Sequence, residues 1–186
     1  KLKLINDFTK MKLIILAAGK GNRLKPLTDN VPKCLVEFNN IPIIDYLISI
    51  SKEFDFDKII VVTGYKSKIL ENHLKTVNNI EFCYNKDYHK TNMVSSFISA
   101  KKHFNDDIIV SYSDIIFKKE ILKKVIQSTE KIGVVVDNQW EKLWKIRMEN
   151  PLEDAESLKI VNNQIIEIGL KTTNINDINS QFIGLM

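Results

Sequence analysis

Short apolar runs recur along this chain, and longer amphipathic segments separate most of them. Five of these runs cover residues 12–16, 58–63, 80–84, 107–112 and 132–136. In the first run, Leu-Ile-Ile-Leu is apolar at every position, which is typical of a strand that helices cover on both faces. The alternation of such runs with amphipathic segments predicts an α/β protein with a largely parallel sheet.

Four of the amphipathic segments predict helices. They cover about residues 42–50, 67–75, 91–104 and 118–127. Pro42 stands at the start of the first helix, where a missing N–H costs nothing. We expect Ser67 to cap the second helix, and Thr91 or Asn92 to cap the third.

The pattern changes after Asp137. Two short strands, residues 157–161 and 164–168, are separated by Asn162-Asn163, a pair typical of a hairpin turn. We expect this hairpin to be an antiparallel addition to the main sheet.

Composition excludes several classes of protein. The 186 residues are enough for one sizeable core, and no apolar run approaches the roughly 20 residues that a membrane span needs. Residues 1–10 lack the apolar stretch of a secretory signal, so a cytoplasmic location is expected. Cys34 and Cys83 are isolated, which argues against a disulfide or a zinc site.

Charge and the two ends of the chain add further expectations. The net charge of +4 comes from scattered lysines, which predicts no nucleic-acid partner but suits an anionic small molecule. Met11 resembles a natural start, so residues 1–10 are interpreted as a linker or extension and residues 11–186 as the domain. Because residues 183–186 resemble a strand in progress, this domain is expected to be truncated at its C-terminus.

The strongest local signal is a glycine-containing loop directly after the first run. It reads Leu16-Ala17-Ala18-Gly19-Lys20-Gly21-Asn22-Arg23. The two glycines allow a tight turn whose N–H groups approach a ligand, and the cations bring positive charge to the same place. At the carboxyl end of a first parallel strand, such a loop predicts a phosphate site.

Two known phosphate motifs do not fit this loop. A dinucleotide fingerprint needs a third glycine where Leu24 stands, and a P-loop needs Ser or Thr where Gly21 stands. A merely tight turn would explain the two glycines alone, but it leaves Arg23 and Lys33 unexplained. Two prolines, Pro26 and Pro32, stiffen the segment that carries Lys33, and a fixed ammonium is useful against a transferring phosphoryl group.

Together these segments resemble the signature of a known family. Leu-Ala-Ala-Gly-x-Gly-x-Arg-Leu-x-Pro-Leu-Thr, then Pro-Lys-x-Leu-Val, is similar to the nucleotidyltransferase family that includes sugar-1-phosphate nucleotidylyltransferases and phosphocholine cytidylyltransferases. Ile41-Pro-Ile-Ile-Asp-Tyr-Leu, Val62-Thr-Gly-Tyr and Tyr112-Ser-Asp continue the match. The resemblance implies a Rossmann-like three-layer sandwich with a mainly parallel mixed sheet. It also implies contacts from residues 16–22 to the nucleotide and catalytic roles for Arg23 and Lys33.

The resemblance also implies Mg²⁺ as a cofactor, with Asp114 as a metal ligand. Asp114 ends an apolar run and would lie at the same sheet edge as the loop. Mg²⁺ uses one or two carboxylates together with phosphate oxygens, so an aspartate fits there. An aspartate after a strand is otherwise more often a cap or turn residue. A second carboxylate cannot be placed.

The base and the acceptor depend on two further segments. Residues 85–96 resemble the small cytidylyltransferases, which implies nucleotide contacts from Asn85, Asn92 and Ser95; helix capping and quiet packing are the alternatives for the last two. Residues 140–156 and 181–184 resemble enzymes that cytidylylate phosphorylated glutamine in capsule phosphoramidate biosynthesis.

We therefore expect Trp140, Trp144 and Arg147 to contact the acceptor, as part of a box for a quaternary ammonium or as a grip for an anionic group. Burial in the core is the commoner fate of tryptophan and stays open as the alternative.

The resulting hypothesis is a cytidylyltransferase that joins CMP from CTP to phosphoglutamine or a phosphocholine-like acceptor and releases pyrophosphate. A phosphate acceptor is largely dianionic at neutral pH, so no general base is required. Two rivals remain: a sugar-1-phosphate nucleotidylyltransferase using UTP or dTTP, and an inactive nucleotide-binding module. A homodimer is the candidate assembly.

Overall fold

A computed structural model describes residues 11–186, which form two compact units. Residues 11–129 together with Met186 form the first unit, and residues 130–185 form the second. The expected linker or extension, residues 1–10, lies outside the described residues.

The first unit is built on a four-stranded parallel sheet. Its strands are β1 (Lys12–Leu16), β4 (Lys58–Thr63), β5 (Ile80–Tyr84) and β6 (Ile108–Tyr112), in the order β5-β4-β1-β6. Leu13, Ile14 and Ile15 are fully buried because β1 is a central strand. Burying each of these side chains contributes about 1.5–3 kcal/mol, so the sheet is the stable platform of this unit.

Helices of the first unit pack by apolar faces at helical spacing. They are α1 (Ile43–Ser51), α2 (Ser67–Leu74), α3 (Met93–Ser99) and α4 (Lys119–Ile126). Helix α1 buries Ile44, Leu47 and Ile48, and α2 buries Leu70 and Leu74. These spacings of three and four residues are those of one helix face.

Strands β2 (Glu37–Phe38) and β3 (Ile41–Pro42) form a small hairpin that sequence reasoning did not predict. Asn39 and Asn40 at its turn have φ of 50° and 61°. Both turn residues of a type I′ hairpin need positive φ, and asparagine tolerates it. The Asn39-Asn40 pair was the signal that could have predicted this hairpin.

The second unit contains β7 (Val136–Asp137), α5 (Trp140–Arg147), β8 (Glu156–Val161), β9 (Gln164–Lys171) and β10 (Gln181–Phe182). Strands β8 and β9 pair antiparallel, and so do β7 and β10. Asn162 and Asn163 have φ of 51° and 60°, so the predicted hairpin turn is confirmed. Trp140, Ala155 and Ile178 form a buried apolar cluster.

Three local predictions were wrong. Ser67 is the first residue of α2, and the cap position belongs to Lys66 in the left-handed region. The run at residues 132–136 forms a strand only at Val136–Asp137, because its partner β10 is only two residues long. The β8–β9 hairpin is a separate two-stranded sheet rather than an addition to the parallel one.

Met186 exchanges two backbone hydrogen bonds with Val110 of β6, at 2.7 and 3.0 Å. Such a reciprocal pair is the pattern of antiparallel pairing. The expectation of a mainly parallel sheet with helices is confirmed. Within the described residues, no helix is long and apolar enough to cross a membrane.

Candidate functional site

Strand order places the candidate site at one edge of the parallel sheet. The chain passes from β1 through β4 to β5 on one side and then returns to β6 on the other side of β1. Such a reversal opens a crevice at the carboxyl ends of the two strands that flank it. Leu16 and Tyr112 are paired in register, so the segments that follow β1 and β6 leave the sheet side by side.

The glycine-containing loop follows β1 directly. Gly21 has φ +65°, and the 3-10 turn Asn22–Leu24 begins after it. Among the described residues, the amides of Gly19, Lys20 and Gly21 donate no backbone-to-backbone hydrogen bond. Backbone amide groups on such a tight turn are donors for an anion. Gly19, Lys20 and Arg23 are exposed there, and Asn22 is exposed as well.

Gly21 packs directly against Lys33. A β-carbon added to Gly21 would lie 2.8 Å from Cβ of Lys33 and 3.1 Å from its Cγ. Contacts that short do not occur, so the absence of a side chain at Gly21 creates the space through which Lys33 passes. Lys33 begins a short 3-10 turn after Pro32, whose φ is −66°, and this turn fixes where its side chain starts.

The far end of Lys33 meets Asp114. Its ammonium forms an ion pair with Oδ2 of Asp114, and the two side chains are 29% and 24% exposed. The pair is therefore half-buried but open to a ligand. Gly21, Lys33 and Asp114 lie at one place, two of them in contact and two ion-paired.

Cys34, next to Lys33, is not a reactive group. Its side chain is 1% exposed, and burial raises the pKa of the Cys34 thiol to about 12. Because only the thiolate is a nucleophile or a metal ligand, Cys34 serves packing. Cys34 and Cys83 are both free.

Asp114 is compatible with a Mg²⁺ ion held largely by a nucleotide. It is a partly exposed carboxylate beside the loop, and Mg²⁺ commonly takes one or two carboxylates plus phosphate oxygens. Within the described part of the chain, no group of three or more His, Cys, Asp or Glu side chains could hold a metal by itself.

Asn85 is fully engaged inside the segment that follows β5. Its amide N–H₂ donates to Oγ of Ser96 at 3.0 Å and to Oγ1 of Thr91 at 3.2 Å. Its side-chain oxygen accepts from the N–H of Asp87 at 3.0 Å, and the residue is 4% exposed. Asn85 thereby fixes the position of this segment relative to the start of α3.

Asn92 and Ser95 lie at the start of α3. The side-chain oxygen of Asn92 accepts the N–H of Ser95 at 3.2 Å, which confirms Asn92 as a helix cap. Asn92 is exposed and Ser95 is half-buried. The cap uses the side-chain oxygen of Asn92 and not its side-chain N–H₂ group.

The three predicted acceptor residues lie on α5 in the second unit. Trp140 is 3% exposed and belongs to that unit's apolar cluster, so its placement supports the packing alternative. Trp144 contacts it edge-on, with ring centroids 5.9 Å apart. The guanidinium of exposed Arg147 lies 5.1 Å from the centre of the Trp144 ring.

Sequence reasoning missed the roles of Gly64, Tyr65 and Thr28, which shape the loop and its surroundings. Gly64 contacts the carbonyl of Ala18 and the ring of Tyr88 so closely that a β-carbon there would lie 2.7 Å from the carbonyl oxygen and 2.7 Å from Cβ of Tyr88. Tyr65 and Thr28 bind the loop through hydrogen bonds. The Val62-Thr-Gly-Tyr and Pro-Leu-Thr segments carried this signal, since a glycine and a hydroxyl beside a ligand loop suggest close packing.

The chain matches a family model. Residues 12–143 match the model described as "Nucleotidyl transferase", which spans the loop, Lys33 and Asp114.

Two curated relatives are also similar. CTP:phosphoglutamine cytidylyltransferase of Campylobacter jejuni is 45% identical over 181 residues, which cover 94% of this chain and 72% of the relative. Choline-phosphate cytidylyltransferase of Streptococcus pneumoniae is 34% identical over 119 residues. That alignment covers 64% of this chain and 52% of the relative, about half of its length.

Solved structures show the same fold. The inositol-1-phosphate CTP transferase from T. maritima superposes with a TM-score of 0.75 at 23% identity, over 96% of this chain and 71% of that one. The CTP:phosphocholine cytidylyltransferase from Streptococcus pneumoniae gives 0.62 at 24% identity, over 95% and 68%. At these identities the likeness concerns architecture alone.

Proposed function

The chain belongs to the nucleotidyl transferase family, and on that premise we propose that it is a Mg²⁺-dependent cytidylyltransferase that moves CMP from CTP to a phosphorylated small molecule. The observation that carries the proposal is the meeting of Gly21, Lys33 and Asp114 at one sheet edge. An ammonium, a carboxylate and amide donors there match the needs of a triphosphate.

The reaction is a displacement at phosphorus. An oxygen of the acceptor's phosphate forms a bond to the α-phosphorus of CTP, while the bond to the β-phosphate oxygen breaks and pyrophosphate leaves. Since the attacking phosphate is already deprotonated near neutral pH, positioning and charge neutralisation are the catalytic requirements.

The loop and three charged side chains have different roles in this step. The loop amides of Gly19, Lys20 and Gly21 hold phosphate oxygens, and Arg23 neutralises charge on them. Lys33 leaves Asp114 and donates hydrogen bonds to the α-phosphate, where negative charge develops. When bound, Mg²⁺ would supply charge neutralisation on the triphosphate, and Asp114 is the carboxylate that would hold it.

The base is read by the start of α3 and its cap residue. We assign the contact with cytosine to Asn92 and Ser95, which share one helix face. Asn85 would support this contact from within, because its amide is engaged with Thr91 and Ser96. The named cytidylyl specificity of the Campylobacter jejuni relative supports CTP over UTP.

The surface of α5 favours an acceptor with a carboxylate. A quaternary ammonium needs open aromatic faces, but Trp140 is buried and the Trp144 ring already has the Arg147 guanidinium over it. A second cation there would be repelled, whereas a carboxylate would pair with Arg147. We therefore propose phosphoglutamine as the acceptor. We also propose the cytoplasm and capsule biosynthesis as the setting of the reaction.

An assay across nucleotides and acceptors tests the proposal. The protein is incubated with Mg²⁺, one of CTP, UTP or dTTP, and phosphoglutamine, phosphocholine or glucose 1-phosphate, and pyrophosphate and nucleotide-linked products are measured. We expect CTP with phosphoglutamine to give the fastest turnover. Preference for UTP or dTTP with the sugar phosphate would replace this proposal, and nucleotide binding without turnover would indicate a binding module.

A further inference from the structure

Two carbonyl groups of the glycine-containing loop accept hydrogen bonds from outside it. The carbonyl of Ala18 accepts the backbone N–H of Tyr65 at 3.0 Å. The carbonyl of Gly21 accepts the hydroxyl of Thr28 at 3.0 Å. Because the C=O and N–H of a planar peptide group point in opposite directions, fixing these two carbonyls also fixes the directions of the N–H groups of Gly19 and Asn22.

Tyr65 connects the two points of support. Its phenol oxygen lies 3.1 Å from the carbonyl of Thr28 and 3.2 Å from that of Asp29, and donates to this pair. Thr28 is 1% exposed, so its own hydroxyl is shielded from water. Tyr65 is thus linked to both ends of the loop. Its backbone N–H binds the carbonyl of Ala18 at the start, and its phenol binds the carbonyl of Thr28, whose hydroxyl binds Gly21 at the end.

Gly64 keeps Tyr65 in this position. With no side chain, it lets the turn after β4 approach the carbonyl of Ala18, which an added β-carbon would reach at 2.7 Å. The arrangement is therefore formed by packed backbone as well as by hydrogen bonds.

We propose that Tyr65 and Thr28 are positioning residues that hold the loop in its nucleotide-binding shape before the nucleotide arrives. The inference rests on the proposed function for the identity of the ligand. We call the hydrogen bonds of Tyr65 and Thr28 the brace. Without this brace the loop would have to become ordered on binding, and that entropy cost lowers affinity. Lys33 and Asp114 keep their positions, so the chemical step itself should change little.

The test uses Tyr65→Phe and Thr28→Val, with Tyr46→Phe as the matched control. Tyr46, on α1, also donates from its phenol to a backbone carbonyl, that of Phe38 on β2 at 2.8 Å, and this bond does not involve the loop. Two measurements are made: hydrogen exchange, without nucleotide, of the Leu24 and Tyr65 amides, which bind the carbonyls of Gly21 and Ala18, and the dissociation constant for CTP by calorimetry.

We expect faster exchange at Leu24 and Tyr65 in both variants, and CTP binding weaker by about threefold to tenfold, as the loss of one ordinary hydrogen bond implies. KM for CTP should rise by a similar factor while kcat changes less than about twofold, because the brace acts on binding rather than on the chemical step. Thr28→Ser keeps the hydroxyl and should restore exchange and affinity, and Tyr46→Phe should match the wild type in both.

Unchanged exchange and affinity in Tyr65→Phe would overturn the proposal, even if Thr28→Val proved too unstable to study. An equal effect from Tyr46→Phe would overturn it as well, since the effect would then be general. The exchange measurement needs no nucleotide. A wild-type protein that fails to bind CTP would therefore contradict the proposed function alone, while the exchange contrast would still decide the role of the brace.

Discussion

At the scale of single residues, Lys33 is the group whose surroundings are most specific. Gly21 gives it space on one side, Pro32 fixes the turn from which it starts, and Asp114 receives its ammonium. Most surface lysines are mobile and solvated, and ion pairs at the surface contribute little to stability. The constrained position of the Lys33 side chain suggests a chemical role.

Replacing Lys33 with Ala should lower kcat by about 100-fold or more, the usual cost of losing one preorganised charge donor. The fold should survive, because the pair with Asp114 is only half-buried. Steady-state kinetics and circular dichroism check the two expectations.

Lys119→Ala is the matched control for this change. Lys119 is ion-paired with Glu53 at 2.8 Å on an exposed surface, so its removal should leave kcat unchanged. Full activity in Lys33→Ala would remove Lys33 from the mechanism.

At the scale of elements, the loop between β1 and the following 3-10 turn contains two glycines with different roles. Gly21 has positive φ and touches Lys33, whereas a β-carbon at Gly19 would meet nothing within 4 Å. The loop therefore needs glycine at Gly21 for its own conformation, and at Gly19 only if a bound ligand comes close.

Gly21→Ala should lower kcat/KM by at least about tenfold, because left-handed backbone costs an alanine about 1–2 kcal/mol and its methyl group would displace Lys33. Gly19→Ala should leave the nucleotide-free protein as stable as the wild type, with any loss confined to nucleotide affinity. Thermal unfolding without nucleotide, followed by kinetics, separates the two. Equal destabilisation by both changes would contradict this account of the loop.

At the scale of the whole molecule, a charged cluster lies at the opposite, amino ends of the parallel strands. Glu81 of β5 pairs with Lys58 of β4 at 2.9 Å and with Lys102, and Nε2 of His103 lies 3.2 Å from its carboxylate. The hydrogen bonds from Lys102 and Lys58 lower the pKa of Glu81 to about 2, and burial lowers the pKa of His103.

Both shifts predict loss of stability in acid. The unfolded chain takes up a proton at His103 near pH 6.5 and at Glu81 near pH 4.5, before the folded protein does. Stability from His103 is thus present above pH 6.5 and falls as the pH drops below it, and that from Glu81 falls between pH 4.5 and about 2. The free energy of unfolding by urea, measured at about pH 7.5, 5.5, 4.5 and 3.5, checks this.

Glu81→Gln removes the lower of the two pH dependences. It should be less stable than the wild type at about pH 7.5 and lose less stability between about pH 4.5 and 3.5. Glu53→Gln, which changes the net charge equally at an exposed ion pair, controls for general charge effects. A Glu81→Gln curve parallel to that of the wild type over this lower range would contradict the role of the cluster.

The sequence by itself determined the elements whose signal is local. Strands β1, β4 and β5 have the predicted bounds, because apolar runs of five or six residues that alternate with amphipathic segments are readable without tertiary knowledge. The Asn162-Asn163 turn and the Asn92 cap were predictable for the same reason. The family was indicated by the resemblance of the segments around Gly19, Gly21 and Lys33 to a known signature, and the family model confirms it.

Only the tertiary structure decided features that depend on contacts between distant residues. Strand order brought Asp114 to Lys33, and close packing placed Tyr65 and Gly64 against the loop. Asn85 and Trp140 lie buried, although their sequence neighbourhoods suggested ligand contacts. Of the run at residues 132–136, only Val136 entered a strand, and β8–β9 formed its own sheet. Burial and strand pairing depend on which surfaces meet, and local sequence patterns do not carry that information.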